Sequence, residues 1–144
     1  MKDGPIVVGV DGSPGSRAAL RVAAEEARAH GRALRVVMVY GYLEQHHARG
    51  ATAFDPAYNE DDAKEALGEI LEQELTATPS VPIEPVLVTD LAARALIEQS
   101  QRASMIVVGA RGLGGFQGLL LGSVSQQVVH HAKCPVLVVP RPEP

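Results

Sequence analysis

Apolar residues in this chain come in short unbroken runs, and the stretches between them carry apolar positions at helical spacing. Residues 6–10, 34–40, 83–88, 105–108 and 136–139 are rich in Val, Ile and Leu and show no alternation. Such runs predict strands buried on both faces, as in a parallel sheet. After the first run, Ser13 is a good N-cap and Pro14 a good first helical residue. Leu20, Ala23, Ala24 and Ala27 then share one stripe, with Arg17, Arg21, Glu25 and Arg28 facing water, and Gly31 closes the helix. A second helix turns Ala63, Ala66, Leu67, Ile70 and Leu71 inward, begins near Asp61 and Asp62, and is broken at Thr78-Pro79. Asp90 is the predicted cap of a third, through Leu91, Ala95 and Leu96. Val124, Val128 and Ala132 mark the last.

The order is βαβαβαβαβ. Short links between strands and helices demand right-handed crossovers, hence a parallel sheet with helices on both faces. With strand order 3-2-1-4-5, this open α/β, Rossmann-like sheet opens its ligand crevice at the carboxyl ends of strands one and four. Asp11 is then expected beside Gly109. Residues 41–58, which include His46, His47, Gly50 and Pro56, show no clear periodicity, and loops of that length are commonly lids or disordered.

Composition narrows the classes. At 144 residues, without an internal repeat, the expectation is one domain over residues 1–144. Aromatics are 3% and Trp is absent, so Val, Leu, Ile and Ala must build the core. The net charge of −4, without a basic cluster, argues against a nucleic-acid partner. Cys134 is the single cysteine and fits a reducing compartment. No stretch is long enough for a signal-peptide core or a membrane span, so the expectation is a soluble cytoplasmic protein.

The chemistry concentrates after the fourth strand. Gly109-Ala110-Arg111-Gly112, nine residues, then Gly122-Ser123-Val124-Ser125 lead from a strand end into a helix start. There, free backbone N–H groups and the positive end of the helix dipole suit a phosphate. A Walker loop is excluded because no lysine lies between Lys64 and Lys133. The dinucleotide fingerprint fails because Gln117 stands at its third glycine position. Ser123 is read as capping the last helix while donating its hydroxyl to phosphate. Asp11, an acceptor when ionised, suits ribose hydroxyls or an amino group.

Gly-x2-Gly-x9-Gly-Ser, the opening Val7-Val8-Gly9-Val10-Asp11-Gly12-Ser13 and the closing Cys134-Pro135-Val136-Leu137-Val138-Val139 together resemble the universal stress protein family, in order and spacing over nearly the whole chain. The resemblance implies the ATP-binding subgroup and an adenine nucleotide alpha hydrolase-like fold. It implies that Val10 and Asp11 hold the adenosine part and that Val39 presents its backbone to the base. Val108, Gly109, Arg111 and Gly112 would line the phosphates, and Gly122, Ser123, Val124 and Ser125 would close over them. Thr89-Asp90-Leu91 departs from the Gly-Asp-Pro often found after the third strand. Arg111 is the one fixed positive charge in the motif, so ATP is expected to arrive with Mg²⁺.

The function expected is thus an ATP-binding, nucleotide-dependent stress-response regulator, with an unidentified protein partner possible in principle. The alternatives are a slow ATPase and a nucleotide-free dimerisation module. Efficient hydrolysis is not expected, because the motif supplies no carboxylate or lysine to orient water at a γ-phosphate. A phosphoacceptor receiver domain fails because Lys133 precedes the fifth strand, at the opposite end of the sheet from Asp11 and Asp90. No metal site is read at His130 and His131, which suit the end of a helix dipole. Cys134 is expected to be buried. Val136, Leu137, Val138 and Val139 would form an apolar edge that a second copy could cover, and the resemblance implies the same homodimer.

Overall fold

The computed structural model describes residues 3–40, 60–75, 81–110 and 121–142. Five strands, β1 (Ile6–Gly9), β2 (Leu34–Val39), β3 (Ile83–Val88), β4 (Met105–Gly109) and β5 (Val136–Val139), form one sheet in the order β3-β2-β1-β4-β5. Every pairing is parallel, with Val8 opposite both Val36 and Val107, and Val108 opposite Val138. Among the described residues the helices are α1 (Pro14–His30), α2 (Glu60–Leu75), α3 (Ala92–Gln99) and α4 (Ser123–His131). The predicted doubly covered sheet and its strand order are both present. The segment 41–58 and the Thr78-Pro79 break lie outside the described residues.

Alternation along each strand divides the core. Ile6, Val8, Val10, Leu34, Val36, Met38 and Val107 pack against α1 and α2. Val7, Val37, Ile106 and Val108 turn the other way, onto Leu96 of α3 and Val128 of α4. Because both faces are covered, the strands read as continuous apolar runs rather than alternating ones.

Helix ends follow the expected chemistry at α1 and depart from it elsewhere. Ser13 caps α1, its hydroxyl accepting from the Ser16 N–H at 3.2 Å, and Gly31 ends it in the left-handed conformation. Asp90 is not the cap of α3; that position is Leu91, and Asp90 lies one residue earlier. Its carboxylate accepts from the Leu91 N–H at 2.7 Å and faces Arg94 at 3.7 Å. Leu91, at the cap position rather than inside the helix, is 45% exposed. Arg17 and Arg21 do not simply face water, since both pair with Glu74 of α2. Cys134 is half-buried rather than buried.

Candidate functional site

The carboxyl ends of β1 and β4, neighbours in the sheet, carry the residues expected to form a site. β1 runs into Val10, buried, and then Asp11 and Gly12. Gly12 has φ +86°, a conformation that a side chain disfavours, and it lets the chain double back into α1. The turn is held from within. Asp11 Oδ1 accepts from the Ser13 N–H at 2.9 Å, and the Asp11 N–H donates to Ser16 Oγ at 3.1 Å. Among the described residues, the second carboxylate oxygen of half-buried Asp11 remains available to a ligand.

Gly109 ends β4 against the first turn of α1. A Cβ at Gly109 would lie 2.9 Å from the Gly15 carbonyl oxygen, so only glycine allows this approach. Gly109 thus abuts the start of α1, the helix that follows the Asp11 turn, and the neighbours it meets are Gly15 and Ser16. Val108 is buried on the α3–α4 side. Val39 sits at the end of β2, past the last rung from β1, where the Val10 N–H donates to the Val37 carbonyl at 2.9 Å. Strand alternation turns the Val39 backbone groups to the same side as those of Val37, toward the crevice.

The glycine segment is closed at its base. The Ala110 carbonyl accepts from the Gly122 N–H at 2.6 Å and from Ser125 Oγ at 2.9 Å. Ser125 is buried, and its hydroxyl also lies 3.1 Å from the Gly122 carbonyl. Its side chain thus ties the two ends of the segment together. Arg111 and Gly112 lie outside the described residues.

Ser123 does not cap α4. The cap is Gly122, which has no side-chain acceptor to offer, and Ser123 is the first helical residue, exposed. This differs from the sequence expectation because a Gly-Ser pair can start a helix at either residue. The consequence favours a ligand: no cap side chain competes for the first-turn N–H groups of Ser123, Val124 and Ser125. Val124 is 37% exposed beside them.

The receiver-domain geometry is absent among the described residues. The Lys133 N–H donates to Ser100 Oγ at the end of α3, on the side where the chain enters β4, away from Asp11. Sequence reasoning missed Ser16 and Arg17. The Ser13-x2-Ser16 spacing was a usable signal for the first, since the hydroxyl at the fourth position turns back into the capping turn. The Arg17 contacts with Gln73 and Glu74 depend on α2 and left no local trace.

The family model for the universal stress protein family matches residues 4–140. The chain belongs to that family. A universal stress protein of Mycobacterium tuberculosis, Rv2005c, is 40% identical over 134 residues, 93% of this chain but 44% of its own length. The chain thus spans less than half of that relative. A crystal structure of a universal stress protein in complex with cAMP is 29% identical, covers 96% of this chain and 98% of that one, and has a TM-score of 0.70. The universal stress protein from Archaeoglobus fulgidus in complex with dAMP is 25% identical, covers 96% and 99%, and has a TM-score of 0.63. Both neighbours hold adenine nucleotides. No helix among the described residues is long and apolar enough to cross a membrane.

Proposed function

We propose that this universal stress protein is one domain that binds ATP in the crevice between β1 and β4 and acts in the cytoplasm as a nucleotide-dependent regulator. The observation that carries the reading is the uncapped start of α4 at Gly122, closed over the end of β4 by the Ala110 carbonyl. First-turn N–H groups with no competing side chain suit a phosphate. The free oxygen of Asp11 suits a ribose hydroxyl, and the Val39 backbone suits an adenine edge. The neighbours holding cAMP and dAMP support the adenine class, while the extended glycine motif favours the longer phosphate tail of ATP. In this reading Val10 and Asp11 hold the adenosine part, Val108, Gly109, Arg111 and Gly112 line the phosphates, and Gly122, Ser123, Val124 and Ser125 close over them.

No group of three or more His, Cys, Asp or Glu side chains converges among the described residues. Mg²⁺, expected with ATP, would supply charge neutralisation at the phosphates. The two sheet edges differ in a way that supports a homodimer. β3 carries exposed Glu84 and Pro85, residues that discourage further pairing, whereas β5 is apolar throughout. A second copy aligned along Val136, Leu137, Val138 and Val139 would cover that edge.

Isothermal titration of the full chain with ATP, AMP and cAMP in Mg²⁺ tests the reading. The expected result is saturable binding with ATP tightest and no rapid turnover. Binding of none of the three would overturn it, and rapid hydrolysis would make the protein an enzyme instead.

A further inference from the structure

Arg17 makes contacts that a surface arginine of α1 does not need. Its Nε donates to the Gly12 carbonyl at 3.1 Å. Its Nη1 donates to Gln73 Oε1 at 2.8 Å and to Glu74 Oε2 at 3.0 Å, both on α2. Arg21 also donates to Glu74, through Oε1, so the carboxylate is held on both oxygens. The side chains of Arg17 and Glu74 are only 28% and 15% exposed.

The Gly12 carbonyl belongs to the same peptide group as the Ser13 N–H, and that N–H is the donor to Asp11 Oδ1 at 2.9 Å. One peptide plane is thus gripped at its oxygen by Arg17 and read at its nitrogen by Asp11. A charged donor on the carbonyl polarises the peptide and strengthens its N–H as a donor. The line runs from Glu74 through Arg17 and the Gly12–Ser13 peptide to the Asp11 carboxylate. An arginine serving only to join two helices would not reach the Gly12 carbonyl, and Arg21 already supplies that joint.

We propose that Arg17 is a positioning residue of the nucleotide site: braced by Gln73 and Glu74 of α2, it fixes the Gly12–Ser13 peptide and so aims the Asp11 carboxylate at the ligand. The proposal rests on the adenine-nucleotide reading above and adds a regulatory link to it. A nucleotide that engages Asp11 tightens the seating of α2 on α1, and, by reciprocity, whatever loosens α2 weakens the nucleotide by the same factor.

Full-length Arg17→Met, Glu74→Gln, Asp11→Ala and the Arg17→Met/Asp11→Ala pair are titrated with Mg-ATP, and amide hydrogen exchange is followed at Ser13. Arg17→Met is expected to weaken ATP about tenfold and Glu74→Gln about threefold, the scale of one charged hydrogen bond. Arg17→Met should cost nothing further once Asp11 is Ala, a coupling that a merely structural role would not produce. Ser13 exchange should quicken in both single variants of the joint. Unchanged ATP affinity in folded Arg17→Met, additive losses in the pair, or unchanged Ser13 exchange would each overturn the proposal. If Arg17→Met does not fold, Glu74→Gln carries the same test. If the wild-type chain takes up no adenine nucleotide, the functional reading falls, and Ser13 exchange in ligand-free Glu74→Gln decides the link alone: faster supports it, unchanged overturns it.

Discussion

At the scale of single residues, close backbone packing shapes the candidate site. Gly109 illustrates this, because the space its missing Cβ would fill is occupied by the Gly15 carbonyl at 2.9 Å. Gly109→Ala must push β4 and α1 apart. The expected cost is about 1–3 kcal/mol of stability, the usual range for overpacking, read as a lower denaturation midpoint. ATP affinity should fall with it, since the start of α1 carries the Asp11 turn. Gly109 was legible in the sequence as part of a spacing, but the reason for it was not. The spacing suggests room for a ligand, whereas the described contact is with the protein's own backbone. Ser123 shows the same gap: its place in the motif was readable, but which of Gly122 and Ser123 caps α4 depends on backbone angles that a Gly-Ser pair leaves open.

At the scale of elements, the strands were readable almost residue for residue because β1, β2 and β4 are buried runs of branched side chains between turn residues. β3, expected to be buried on both faces, is instead exposed at Ile83, Glu84 and Pro85 as an edge strand. β3 and β5 span residues 83–88 and 136–139 as expected. α1 was equally clear, with Ser13, Pro14 and Gly31 marking its ends. The joint between α1 and α2 was not legible, because its partners are far apart in the chain and each looks like an ordinary charged surface residue. Burial alone would raise the Glu74 carboxyl, but the hydrogen bonds and charges of Arg17 and Arg21 outweigh it and hold the group below its ordinary 4.5. A carboxyl lowered by folding stabilises the native state above its unfolded value, and that contribution disappears as pH falls through the folded one. Acid titration of unfolding stability should therefore show a loss beginning near pH 4.5 and continuing below it. In Glu74→Gln that part of the curve should flatten, while the neutral-pH stability drops by about 1 kcal/mol, the upper end for an ion pair near the surface. Curves of identical shape would remove Glu74 from the account.

At the scale of the whole molecule, the proposed function draws on two features that belong to no single element: the crevice at the switch between β1 and β4, and the apolar edge strand β5. The crevice was predictable from topology, since reversal of strand order leaves two crossovers parting on opposite faces. The edge was predictable from the last apolar run and the expected strand order. Leu137 also packs against the α1-side core, so Leu137→Asp should lower the denaturation midpoint as well as shift sedimentation from dimer to monomer; a folded variant that still sediments as a dimer would send the interface elsewhere. The central claim is that backbone N–H groups at the end of β4 and the start of α4 receive the phosphates, with Asp11 on the sugar. Titration of Mg-ATP into uniformly ¹⁵N-labelled protein tests it most directly. The account predicts that the largest amide shifts fall at Gly109, Gly122, Ser123, Val124 and Ser125, with a second group at Asp11 and Ser13. Saturating nucleotide that leaves those amides unmoved, or moves only others, would contradict it.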